Sequence, residues 1–135
     1  MMKKPGILRD TSGLGAAEFA FIAPALFTLI IGISQLGVLY FANADLRNAV
    51  ASSARFASVF PRPTADAVKQ RATQQVAHMK AGNITAPTVV YGTDSRGYQY
   101  ADIEMKYLVP LNFVWVKPPP VTLTERRRVY VQPAA

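Results

Sequence analysis

Polarity along the chain changes abruptly twice. The opening MMKKPGILRDTSG is polar, and Pro5, Gly6 and Gly13 argue against a stable helix there. From Leu14 small and apolar residues take over, and the block Ala20 to Ala42 holds no formally charged residue. A helix rises ~1.5 Å per residue and ~20 residues cross a hydrocarbon core, so this block is long enough to span a bilayer. The helical pattern continues past it. Leu46, Val50, Ala57 and Phe60 recur on one face, Arg47, Asn48, Ser52 and Arg55 supply the polar faces, and no breaker intervenes before Pro61. The pattern predicts a leader over 1–13, one helix over 14–60 with a transmembrane segment at about 19–42, and a small domain over 61–135. Pro24 removes one backbone donor inside the apolar run; it is expected to bend the helix without ending it.

Beyond Pro61 and Pro63 the elements are short. Thr64 is placed to cap a second helix over Asp66 to Lys80, whose weaker apolar stripe runs through Val68, Ala72, Val76 and Met79 and ends at Gly82 and Asn83. The period then shifts toward two. ITAPTVVY reads as an irregular strand that Pro87 confines to an edge or breaks, and GTDSRG as a turn. YADIEMKYLV alternates Ala101, Ile103, Met105 and Tyr107 against Asp102, Glu104 and Lys106, the clearest strand in the chain. KPPP reads as a stiff connection. VTLTERRRVYV returns to alternation, with Glu125 and Arg127 on the side of Val121, Leu123, Val129 and Val131. The expected class is α+β: a long N-terminal transmembrane helix continuing into a small domain with a second helix and an antiparallel sheet of unknown strand order.

Charge orients this arrangement. The chain has 135 residues, a net charge of +7 and no cysteine, so no disulfide or thiolate site supports the small domain. Lys3, Lys4 and Arg9, offset only by Asp10, precede the span, whereas Asp45, Arg47 and Arg55 follow it. The positive-inside bias is modest; it favours a cytoplasmic N-terminus and an external C-terminal domain, periplasmic in a bacterium. A cleaved secretory signal fits less well, because its apolar region runs ~7–15 residues and ends in a cleavage site, whereas this run is longer and continues as helix.

Candidate chemistry is sparse. There is no serine–histidine motif, metal-spaced cluster, phosphate loop or cofactor signature, so a noncatalytic chain without cofactor or metal is expected. Asp102 and Glu104 share a strand face, which an alternating solvated face explains more cheaply than acid–base work. His78 has no carboxylate or second histidine near it in sequence and reads as a surface or packing residue. Arg126, Arg127 and Arg128 form a basic cluster. A solvated charge run outweighs a contact patch for anionic lipid, an acidic partner or nucleic acid, since no aromatic–basic recognition module accompanies it.

Glu18, at the mouth of the apolar run, has two readings. It sits near headgroup level and a helix N-terminus, where hydration and the dipole tolerate a carboxylate, or it has a specific partner. Gly13 followed by Leu14, with Glu18 fifth from Leu14, resembles the class III signal sequence of type IV prepilins and pseudopilins. More narrowly, residues 13–57, through Glu18-Phe19, Pro24, Gly32, Gln35-Leu36-Gly37 and Ala54-Arg55-Phe56-Ala57, resemble the TadE/TadG-like family of the tight-adherence (Flp) pilus machinery, and the short chain is more like the TadE type. Many relatives carry an acid where this chain has Gln35.

That resemblance implies a pilin-like fold, prepilin peptidase cleavage between Gly13 and Leu14, and retention in the bacterial inner membrane or entry into the pilus. The implied partners are the peptidase, other pilins and pseudopilins, the inner-membrane assembly platform and the lipid bilayer; nucleic acid is not an expected partner. Glu18, Phe19, Pro24, Gly32 and Gly37 would form an assembly interface. The small residues would let helices approach closely, although small residues are common in membrane helices generally.

Overall fold

The computed structural model describes residues 12–79, 83–113 and 117–133. The leader up to residue 11, the Leu14 side chain and the expected stop at Gly82 lie outside the described residues. Helix α1 (Ser12–Ala57) runs unbroken through Pro24. It begins early enough to include Gly13, which was expected to oppose helix. Hydroxyls inside its apolar half are satisfied by the preceding turn: Thr28 Oγ1 donates to the Pro24 carbonyl at 2.8 Å and Ser34 Oγ to that of Ile30 at 3.0 Å. Among the described residues α1 is the one helix long and apolar enough to cross a membrane.

The C-terminal half of α1 carries the domain. Ala42, Leu46, Ala49, Val50, Ser53, Ala54 and Ala57 are buried, a face made mostly of small side chains that lets the sheet and second helix come close. Ser53 is accommodated there because its Oγ donates to the Ala49 carbonyl at 2.7 Å. The helix stops at Ala57, and Phe60, expected on the core face, is 61% exposed. The last turn tightens instead: the Val59 amide bonds to the Phe56 carbonyl and Ser58 Oγ to that of Arg55, which carries the chain off the helical face before Pro61.

Helix α2 (Ala65–Gln75) starts where Thr64 Oγ1 accepts from the Ala67 amide at 3.2 Å. Val68, Ala72 and Val76 are buried as the stripe predicts. It ends five residues before the expected Lys80. Bonds from Val76, Ala77 and Met79 to carbonyls three residues back replace the helical ladder, so His78 lies in a turn.

Strands β1 (Ile84–Thr93), β2 (Gln99–Val109) and β3 (Val121–Tyr130) form an antiparallel meander in the order β1-β2-β3. Pro87 behaves as anticipated: β1 is an edge strand and its pairing shifts between Thr85 and Thr88. The β1–β2 turn closes through Asp94, whose Oδ1 accepts from the Arg96 and Tyr98 amides, with Gly97 at φ 86°. Ala101, Ile103, Met105, Tyr107 and Val109 turn one face of β2 into the core, against α1. β3 also packs on α1, and α2 covers β1. The outcome is the expected α+β, pilin-like layout.

One polar tie joins the α1–α2 connection to the sheet. The Tyr91 hydroxyl donates to the Pro63 carbonyl at 2.8 Å, while Arg62 stacks 4.6 Å from the Tyr91 ring and bonds Gln99. Replacing Tyr91 by Phe keeps the ring and deletes the bond. The expected cost is ~1 kcal/mol, measured by thermal unfolding of the full chain in detergent.

Candidate assembly surface

The two halves of α1 differ in what covers them. Every residue from Gly15 to Ile30 is exposed except Ala23, including Phe21 at 85% and Phe19 at 65%. An apolar patch of this extent does not suit a water-facing monomer; lipid or neighbouring helices are its natural cover. Among the described residues nothing in the small domain folds over this stretch. Phe19 and Pro24 lie on this uncovered stretch, and Glu18 is exposed beside Phe19.

Gly13 is exposed, and a side-chain carbon built there meets nothing within 4 Å. Gly13 and Leu14 both have helical backbone in the first turn of α1, where amides lack intrahelical partners and the end frays readily. The small residues divide. Gly37 has open space where a Cβ would stand, whereas at Gly32 that position lies 3.8 Å from the Phe113 ring of the same chain.

The arginine cluster is split by strand alternation. Arg126 and Arg128 project from one face of β3 and meet Asp102 on β2: Arg128 Nε and Nη2 donate to its two oxygens at 3.0 and 2.7 Å, and Arg126 Nη2 donates at 2.8 Å. Arg127, opposite Ile103 in the register, belongs to the other face. There Glu125 lies 3.7 Å from Arg47 of α1, an exposed pair worth little stability. Arg128 also stacks 4.0 Å from the Tyr100 ring, which covers Gly92 so closely that an added Cβ would sit 2.6 Å from it. The acid that engages two of the three arginines was not identifiable beforehand. The alternation of both strands was visible, but the register Asp102 to Arg128 is set across a connection whose length does not specify pairing.

His78 has a carboxylate neighbour that the sequence reading lacked. Its Nε2 is 3.0 Å from Asp45 Oδ2, a residue 33 positions away on α1. The pair edges a cleft of about 450 Å³ between α1 and the end of β2, lined by Gln35, Ala42 and Val109 among others. Both side chains are solvent-accessible, and no group of three or more potential metal ligands occurs among the described residues. This pair joins α1 to the turn after α2.

The hydrogen bonds from Arg128, aided by Arg126, hold the Asp102 carboxyl at about 2, below its ordinary value. A depressed carboxylate pKa contributes stability that is complete above the ordinary carboxylate range and is lost as pH falls toward 2. Asp102→Asn is therefore expected to lower the melting temperature at pH 7, with the gap to the native chain narrowing between pH 5 and pH 2. Melting curves across that window check it.

Residues 13–55 match the family model described as TadE-like protein, a match that covers α1 almost end to end and none of the sheet. No curated protein and no solved structure matches the chain.

Proposed function

We propose that the chain is a noncatalytic pseudopilin or minor pilin that supports assembly of a tight-adherence (Flp) type IV pilus. The observation that carries this reading is the family match on residues 13–55, the helix whose first half is apolar and uncovered and whose second half is packed into a small domain. In this reading α1 resides in the bacterial inner membrane, with its N-terminus cytoplasmic and the α+β domain periplasmic. It packs there with other pilins, pseudopilins or the assembly platform, and the domain caps, guides or initiates assembly.

Prepilin peptidase cleaves between Gly13 and Leu14. The new Leu14 amine, with an ordinary pKa of ~8, is largely protonated at neutral pH and pairs with Glu18 of a neighbouring subunit. Desolvation offsets part of the attraction, so the pair serves register and recruitment more than stability. Within one chain Glu18 lies four residues, ~6 Å of helix, from Leu14, and helical side chains lean toward the N-terminus, so pairing within a subunit competes. A display role on the filament through the arginines is the weaker alternative, because Asp102 already engages Arg126 and Arg128.

The decisive experiment is intact-mass and N-terminal analysis of the chain from host membranes with and without the peptidase. A peptidase-dependent start at Leu14 is expected; an uncut chain beside another substrate that is cut would identify a plain signal anchor. Retention in the inner membrane, with none in sheared filaments, is the expected distribution for the assembly role. For Glu18, crosslinking between subunits from positions 14 and 18 is expected in the assembled state and is expected to weaken in Glu18→Gln. Position 18 lying far from every neighbouring N-terminus would refute the pairing.

A further inference from the structure

The β2–β3 connection does not stay with the sheet. Val109 is buried in the core cluster, Leu111 packs against its edge, and four residues beyond Val109 the Phe113 ring lies against Gly32 of α1. Gly32 is ten residues below Ala42, the first core residue of α1, or ~15 Å along the helix. An extended chain covers ~13 Å in four residues, so residues 110–113 run down α1 toward its apolar half. Ile31, Gly32 and Gln35 are half-buried at this height, whereas α1 is bare below them.

Two lengths then disagree in an informative way. The uncovered stretch Gly15–Ile30 is ~24 Å long, and a hydrocarbon core is ~30 Å thick. With Glu18 held at the inner headgroup level, only ~18 Å of bare helix remains up to Ile30, so the outer ~12 Å of hydrocarbon must meet α1 where the Phe113 ring lies against it. No formal charge occurs on α1 between Glu18 and Asp45, so the helix presents no barrier to immersion at that height. Leu111 and Phe113 are apolar and half-buried, and Lys117 is exposed, a cation suited to lipid phosphate.

We propose that residues 111–113 form a second membrane contact: Phe113, seated on Gly32, enters the outer leaflet beside α1, and the exposed Lys117 meets the headgroups. The occupant is lipid, because the surface is continuous with the bare apolar half of α1 and the length mismatch places hydrocarbon there. Immersion to ~5–10 Å is the depth at which interfacial segments commonly bind. The contact would fix the height and tilt of the domain over the membrane, which a single helix leaves free. This inference rests on α1 spanning the bilayer.

The absence of cysteine allows one fluorophore per chain. The full-length chain, dilute in phosphatidylcholine–phosphatidylglycerol vesicles, would carry an environment-sensitive dye at Phe113→Cys, at Phe27→Cys on the bare half of α1, or at Ser95→Cys on the exposed β1–β2 turn. Asn112→Cys, exposed and adjacent, keeps the Phe113 ring in place should its loss disturb folding. The expected result is blue-shifted emission at 113 and 112 that brominated lipid quenches and aqueous iodide does not, with Ser95 showing the reverse. Emission at both loop positions as accessible to iodide as at Ser95, or shielded from both quenchers, would overturn the proposal while Phe27 remained lipid-quenched. Shielding from iodide that appeared only when chains were crowded would assign the surface to a second copy and overturn it as well. If Phe27 itself escaped lipid quenching, the spanning reading would fall first, and the loop contact with it.

Discussion

One continuous helix has to satisfy two solvents. The first half of α1 exposes large side chains on every side, and the second half buries a face of small ones. Because a helix makes its backbone bonds internally, it is able to leave hydrocarbon and enter a protein core without changing conformation. The domain needs that rigidity. Its sheet is three strands wide, with α2 reaching β1 while α1 lies against β2 and β3, so the core exists only where the helix supplies one wall. Removing the wall would leave a sheet with one apolar face in water, a poor prospect for a core this thin.

The side-chain sizes follow from that role. Ala42, Ala49, Ala54 and Ala57 let β2 approach the helix, and the bulk comes from the opposite wall through Ile103, Met105 and Tyr107. Where bulk sits on the first half of α1 instead, at Phe19, Phe21 and Phe27, nothing among the described residues opposes it. The distribution of alanine and phenylalanine along one helix thus separates the part that holds the domain from the part offered to lipid or other helices.

Periodicity made these features legible to different degrees. The 3.6-residue stripe of α1 and the strict alternation of β2 each reflect one buried face, so both were readable, and Pro87 marked the irregular edge strand because it lacks a donor. Phe60 and the end of α2 were misjudged for a common reason. Apolar residues continue the helical spacing there, while bonds to carbonyls three residues back have already turned the backbone. Contacts between distant segments carried no local signal. The Asp45–His78 pair, the engagement of Asp102 by two arginines, and Phe113 upon Gly32 all depend on strand register or on the path of a long connection. The arginine cluster shows the consequence: three consecutive cations read as one patch in sequence, yet a strand sends the middle one to the opposite face.

The positions of the charges tie the two halves together. Glu18 and Asp45 bound an interval of α1 without formal charge that is ~40 Å long, more than a bilayer core requires. An excess of that size on a free helix would be taken up by tilt or by apolar surface left in water. Here the domain takes it up. Phe113 lies against Gly32 in the outer part of the interval, and Asp45, the first charge beyond it, meets His78 at the base of the domain. Charge on α1 therefore resumes where the folded domain begins. Between Gly32 and Asp45 the domain occupies one face of the helix while Ile33, Leu36, Val38, Tyr40 and Phe41 keep the other apolar and exposed, so one stretch faces both a core and apolar surroundings.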